Sequence, residues 1–141
     1  MTFCLNSIII NPEKNITIKN AIVLLHGYGG SGEDISMLTL NWKRHMPNTI
    51  FICPDGHESC SVSPSGYQWF DLNTNNTNYI LEQSKKAEKK LNRFLDEIKN
   101  EYQLENEKIC LSGFSQGCMM SLNIGLTSKK NTIVLLGFQE N

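Results

Sequence analysis

The sequence lacks the ligand spacings that would announce a metal or disulfide scaffold. Its five cysteines (Cys4, Cys53, Cys60, Cys110, Cys118) include no C-x-x-C pair, and an odd, scattered set does not make a disulfide framework. Cys53 and Cys110 sit inside apolar runs, so reduced and mostly buried thiols are expected. No stretch reaches the ~18 apolar residues that a membrane-spanning helix needs. The opening MTFCLNSIIINPEK has no positive stretch ahead of its apolar run, which Asn6 and Ser7 interrupt, so a secretory leader is not expected and a cytoplasmic protein is. A strong charge is missing as well. The formal net charge of -1 offers no attraction to nucleic acid or an anionic membrane. Lys85, Lys86, Lys89 and Lys90 alternate with Glu82, Glu88, Asp96 and Glu97, as on a solvated helix face. With 40% hydrophobic and 19% charged residues the chain reads as globular.

What is present is an alternation of elements. Ile8 to Ile10 and Ile16 to Ile18 are β-branched runs around Asn11-Pro12 and read as an opening hairpin. Ala21 to Leu25 is a continuous apolar run ending at His26-Gly27, too short for a helix and suited to a strand buried on both faces. Gly27, Gly29, Gly30 and Gly32 make a flexible turn, and Asp34 to Arg44 reads as a helix. Thr49 to Cys53 reads as a second buried strand, stopped by Pro54-Asp55-Gly56.

Residues 56–77, rich in Ser, Gly, Pro, Asn and Thr around Tyr67-Gln68-Trp69-Phe70, read as a long loop of functional kind. From Asn78 to about Gln103, the residues Ala87, Leu91, Phe94, Leu95, Ile98 and Tyr102 share one helical stripe. Lys108 to Ser112 is a third buried strand, Cys118 to Leu126 a helix, and Thr132 to Leu136 a fourth strand. The class is α/β, with a mostly parallel sheet, helices on both faces and one domain over 1–141. Such sheets keep their sites at the C-terminal ends of the strands. That edge carries His26-Gly-Tyr-Gly-Gly, Pro54-Asp-Gly-His and Gly113-Phe-Ser-Gln-Gly.

Gly113-x-Ser115-x-Gly117, between a buried strand and an apolar helix, fits a nucleophile elbow. The turn is so tight that side chains two residues before and after the serine would collide, hence glycine at both places. It sets the hydroxyl at a helix N-terminus, where free N–H groups favour developing negative charge. The glycine-rich turn after Leu25 leaves further N–H groups uncrowded. That of Tyr28 is placed to join that of Gln116 around a tetrahedral oxyanion, each donor being worth about 3–4 kcal/mol. A plain turn or a phosphate cradle are the other readings of these glycines, and the P-loop pattern G-x-x-x-x-G-K-[ST] is absent.

Together, HGYGG, FICPDG, GYQWFDL and GFSQG, in that order, resemble the phospholipase/carboxylesterase family that includes the acyl-protein thioesterases. The resemblance runs from about residue 20 to residue 136. It implies an α/β-hydrolase fold and hydrolysis of small-molecule or lipid esters or thioesters through an acyl-serine, with no metal or organic cofactor. It makes Ser115 the catalytic nucleophile and the N–H groups of Tyr28 and Gln116 the oxyanion hole. It also sets Trp69 at the acyl pocket, where simple loop packing is the other reading of that residue.

The sequence departs from this family after the elbow. A serine needs a base, and the base a third group that holds its tautomer. In this fold both follow the nucleophile, yet residues 116–141 hold one acid, Glu140, and no histidine. Cys118 also stands where the family usually has glycine. Of the earlier histidines, His26 belongs to the oxyanion turn and is expected to be structural, and His45 follows a helix. His57 lies at the right edge beside Asp55 and Glu58, where it reads as a solvated loop residue or, with a rearranged loop, as the base. The expectation is therefore a partial domain lacking the last strands and helix, inactive alone. It would be one half of an enzyme completed by a C-terminal fragment, or a non-catalytic remnant or binding module. Its apolar edge strand at 132–136 is expected to invite self-association or to leave the sheet marginally stable.

Overall fold

A computed structural model describes residues 2–127 and the strand at 133–135. Its elements are β1 (Ser7–Ile10), β2 (Asn20–Leu25), α1 (Gly32–Ser36), α2 (Thr39–Trp42), β3 (Thr49–Pro54), β4 (Glu58–Ser59), β5 (Tyr67–Gln68), α3 (Thr77–Tyr102), β6 (Ile109–Gly113), α4 (Gln116–Thr127) and β7 (Ile133–Leu135). Five strands form one sheet in the order β1-β3-β2-β6-β7, parallel except for β1, which runs antiparallel to β3. β4 and β5 form a separate two-stranded ribbon.

Side chains alternate across a strand, and the apolar runs of β2 and β3 split accordingly. Ala21, Val23, Leu25, Ile50 and Ile52 face α3 and α4, where they meet Leu91, Phe94, Ile98, Met120 and Ile124. Ile22, Leu24, Phe51 and Cys53 face the other way, toward Ile35 of α1 and Trp42 of α2. Both faces of the central strands are thus covered, which is why these runs carry no polar alternation. Burial pushes the Cys53 thiol up to about 12, so it stays protonated in this core. Among the described residues no helix is long and apolar enough to cross a membrane.

Helix α3 is the longest element, and its limits are set locally. The Asn76 side chain accepts the N–H of Tyr79 at 3.1 Å, and Gln103 closes the helix in the left-handed region with φ of +52°. Between them Ser84, Ala87, Leu91, Phe94 and Ile98 recur at spacings of three and four and are buried.

Three local expectations are corrected. The run Ile16 to Ile18 forms no hairpin with β1. A turn closed by Ile16 N–H on the Glu13 carbonyl, with Asn15 at φ of +70°, separates them, and β1 instead pairs with β3, Ile9 opposite Ile52. The stretch from Asp34 to Arg44 is not one helix but α1, α2 and a 3-10 turn at Lys43–His45. The Ser36 and Thr39 hydroxyls bond back to the carbonyls of Glu33 and Ser36, competing with the helical ladder. Within 56–77, finally, the β4–β5 ribbon orders part of what reads as loop. Of the fourth strand at 132–136, Ile133–Leu135 pairs with β6 at the end of the sheet order, and its remaining residues lie outside those described.

Phe94 is fully buried and meets Phe3 edge-on, with centroids 5.5 Å apart. Phe94→Ala is expected to lower unfolding stability by about 3–5 kcal/mol, read from urea denaturation. A loss well under that would mean that the α3 stripe is not the main contact on this face.

Candidate active site

The strand order places the site. β2 lies beside β6, but its exit leads to α1 on one face whereas that of β6 leads to α4 on the other. The two C-terminal ends therefore part, which leaves a crevice where chain from both strands is uncovered.

At the end of β6, Ser115 has φ of +55°, a conformation costing a non-glycine residue about 1–3 kcal/mol. The glycines on either side explain how the turn closes. A Cβ on Gly117 would overlap the Leu25 carbonyl and lie 2.7 Å from that of His26, and one on Gly113 would lie 2.6 Å from the N of Cys118. Main chain meets main chain there, so α4 starts directly over the end of β2. Phe114 N–H continues the ladder to Leu25 O at 3.0 Å, and Gly117 N–H closes the turn on Phe114 O at 2.9 Å. Ser115 is half-buried, and among the described residues its hydroxyl has no hydrogen-bond partner.

The glycine turn after β2 lies against this elbow. A Cβ on Gly27 would sit 3.3 Å from Cβ of Ser115. The Gly27–Tyr28 peptide is held by its carbonyl, which accepts His26 Nδ1–H at 2.6 Å and Gly30 N–H at 3.0 Å. A trans peptide points N–H opposite to C=O, so those two bonds also aim the N–H of Tyr28. Among the described residues neither the Tyr28 nor the Gln116 N–H donates to a main-chain acceptor. A cleft of about 370 Å³ opens here, lined by Gly27, Tyr28, Ile35, Leu38 and Phe114 among others.

His26 is buried with both ring nitrogens used. Nε2 accepts the N–H of Gly56 at 2.8 Å, so Nδ1 carries the proton that it gives to Gly27 O. Burial pulls its pKa below the usual histidine value, although the Gly27 carbonyl and the charges of Asp55 and Asp34 push the other way. Trp69, 1% exposed, stacks on this ring at 5.2 Å and donates its indole N–H to His26 O at 3.0 Å.

Gln116 contributes more than its main chain. Its Oε1 accepts Trp69 N–H at 3.0 Å and its Nε2 donates to Phe70 O at 2.8 Å. The Tyr28 phenol reaches Asp71 Oδ1 at 3.1 Å and Ser61 Oγ at 3.0 Å. Neither clamp was visible in one dimension, because their partners lie 47 and 43 positions apart in the chain.

The remaining histidines lie elsewhere. His45 is exposed in the 3-10 turn. The side chain of His57 is 9% exposed, with Nε2 3.3 Å from Glu58 Oε1. Its Nδ1 is buried without a partner among the described residues. Burial lowers its pKa, with Lys90 and Lys86 of α3 lowering it further and Glu58 opposing. Among the described residues no hydrogen bond joins it to Ser115.

Gly27, Gly29 and Gly32 also happen to match the dinucleotide spacing G-x-G-x-x-G. The structure speaks against that use. The Gly32 N–H that would meet a phosphate donates to Asp55 Oδ1 at 2.8 Å, and residues 66–67 cover the turn through Gly29 N–H on Tyr67 O at 2.9 Å. Among the described residues no three His, Cys, Asp or Glu side chains converge as metal ligands would.

Known proteins share this architecture. The family model for phospholipase/carboxylesterase matches residues 6–139. Acyl-protein thioesterase 1 of Schizosaccharomyces pombe is 30% identical over 146 residues, which span 97% of this chain and 62% of that protein. The crystal structure of esterase PE8 aligns with a TM-score of 0.80 at 34% identity, over 88% of this chain and 58% of its own. The Bacillus cereus carboxylesterase aligns with a TM-score of 0.71 at 22% identity, over 96% and 60%, which shows a common fold. The chain spans about three-fifths of the length of these relatives. Its sheet with helices on both faces is the α/β-hydrolase fold.

Both His26 and His57 have folded pKa values below the ordinary one, so the unfolded chain binds protons more readily. Their contribution to stability is complete above about pH 6.5 and declines as the pH falls below it. The melting temperature is expected to drop between about pH 7 and about pH 5.5, and less steeply in His26→Gln. A flat profile over that window would contradict neutral, buried imidazoles. A second outcome concerns the elbow. Gly117→Ala is expected to abolish cooperative melting, since the overlap is with main chain; a normal melt would mean that α4 can shift off β2.

Proposed function

This chain belongs to the phospholipase/carboxylesterase family, and we propose that it carries the nucleophile and oxyanion hole of a serine hydrolase acting on carboxylic esters or thioesters. The observation that supports this most directly is the positive φ of Ser115, held between two glycines that admit no Cβ. Strain of this kind persists where the surroundings over-determine it, and here it holds Ser115 half-buried at the end of β6, beside the glycine turn after β2.

In this reading a base takes the Ser115 hydroxyl proton as the oxygen attacks the acyl carbonyl, later giving it to the leaving group, and the oxyanion that forms is met by the N–H groups of Tyr28 and Gln116. The C–O or C–S bond breaks, the leaving alcohol or thiol takes a proton, and water later cleaves the acyl-serine by the reverse path. Trp69 supports His26 and thereby the turn that carries the Tyr28 N–H. His26 itself is spent on Gly56 and Gly27. Among the described residues no histidine bonds to Ser115, so this reading leaves its base unassigned.

A second reading, a binding module without turnover, is favoured by the one feature the first must explain away. Among the described residues no histidine bonds to Ser115. Removing the base of a serine hydrolase costs about 10⁶ in kcat.

Added imidazole separates the two. Hydrolysis of a short-chain p-nitrophenyl ester by residues 1–141 is expected to match Ser115→Ala without added base, and to exceed it increasingly as imidazole is raised. An imidazole effect equal in both proteins would favour the binding module. Turnover of about 1 s⁻¹ or more without imidazole, lost in Ser115→Ala, would place an unassigned base within the chain.

A further inference from the structure

Two main-chain donors can share one oxyanion only if their separation is held. Tyr28 and Gln116 lie on different strands' exits, beyond the reach of the sheet ladder: its last bond is Phe114 N–H on Leu25 O, two residues before Gln116 and three before Tyr28. Both are instead tied to one three-residue segment. Trp69 and Phe70 hold Gln116 through its side-chain amide, by Trp69 N–H on Oε1 and Nε2 on the Phe70 carbonyl. The next residue, Asp71, holds Tyr28 through its phenol.

On the Tyr28 side of this staple the two flanking residues contribute no side chain. Tyr28 stands between Gly27 and Gly29, the latter at φ of +82°, so its neighbours offer nothing to pack. His26 and Gly30 orient the preceding peptide, and Gly29 N–H bonds to Tyr67 O. The phenol at the end of the ring then gives the residue its third fixed point. The acceptor there is ready-made: Asp71 Oδ1 receives Asn73 N–H at 2.8 Å, Ser61 Oγ at 3.0 Å and the Tyr28 phenol at 3.1 Å. Hydrogen bonds to an ionised carboxylate are about twice as strong as neutral ones.

We infer that Asp71 is a positioning residue: with Ser61 it anchors the Tyr28 phenol, so that the segment Trp69–Asp71 holds the two oxyanion donors at a set distance. The inference rests on the reading of Tyr28 and Gln116 as those donors, and it adds a residue that touches no substrate.

The test compares the full chain with Asp71→Ala, Asp71→Asn and Tyr28→Phe by ¹⁵N relaxation. In Asp71→Ala the Tyr28 amide order parameter is expected to fall from about 0.85 to below about 0.6, while that of Gln116 stays high. Asp71→Asn keeps an acceptor oxygen and is expected to restore Tyr28. Tyr28→Phe, which removes one hydroxyl and serves if Asp71→Ala does not fold, is expected to match Asp71→Ala. The imidazole-supported, Ser115-dependent rate is expected to drop about tenfold in kcat in the same two variants, and no further in their combination. A Tyr28 order parameter unchanged by Asp71→Ala and Tyr28→Phe would overturn the inference. Absence of any Ser115-dependent rate in the parent chain would instead sink the hydrolase reading, and the order parameters would still decide the role of Asp71.

Discussion

At the end of β2 a helix begins where no side chain fits. Gly117 of α4 lies against the carbonyls of Leu25 and His26, and Gly113 lies against Gly117 and the N of Cys118. This backbone contact sets the height of α4 above the sheet and leaves the chain two residues in which to reverse from strand to helix. Ser115 takes the strain of that reversal as a positive φ. The crevice, the half-buried Ser115 and a Gln116 N–H with no main-chain acceptor among the described residues all follow from that approach. The same contact makes the site intolerant, since a single methyl group at either glycine forces main chain apart.

Around this contact several polar side chains are buried and paired. His26 uses both nitrogens, Gln116 both ends of its amide, and Trp69 both its main-chain and its indole N–H. In a low-dielectric surrounding such bonds are strong when complete and costly when broken, so the network admits few alternative geometries. It therefore does for the glycine turn after β2 what apolar packing does for the helices: it selects one arrangement. His57 Nδ1 stands outside that economy, buried and unpartnered among the described residues.

Much of this was legible in one dimension because it rests on short-range rules. The apolar runs at Ala21 to Leu25 and Thr49 to Cys53 are strands because both faces are covered, and β-branched residues suit that state. The stripe through Leu91, Phe94 and Ile98 is a helix because residues three and four apart share a face. The elbow was legible because glycine, serine and glycine at fixed spacing between a strand and a helix report a steric requirement directly. The failures are as instructive. Ile16 to Ile18 is as β-branched as β1, yet β1 pairs with a strand more than forty residues on, through Ile9 and Ile52. The helix expected at Asp34 to Arg44 broke where the Ser36 and Thr39 hydroxyls took carbonyls from the ladder.

By itself, then, the sequence determined the order of elements, the faces they bury and the residue at the turn, because each depends on neighbours within about one turn or one strand. Tertiary structure alone decided which groups surround that residue. It set His26 as a neutral ring between Gly56 and Gly27, laid Trp69 beneath it, and joined Tyr28 to Asp71 and Gln116 to Trp69 and Phe70. These are hydrogen bonds between side chains and main chain far apart in sequence, whose directions exist only once β2 and β6 are side by side and their exits lead to opposite faces of the sheet.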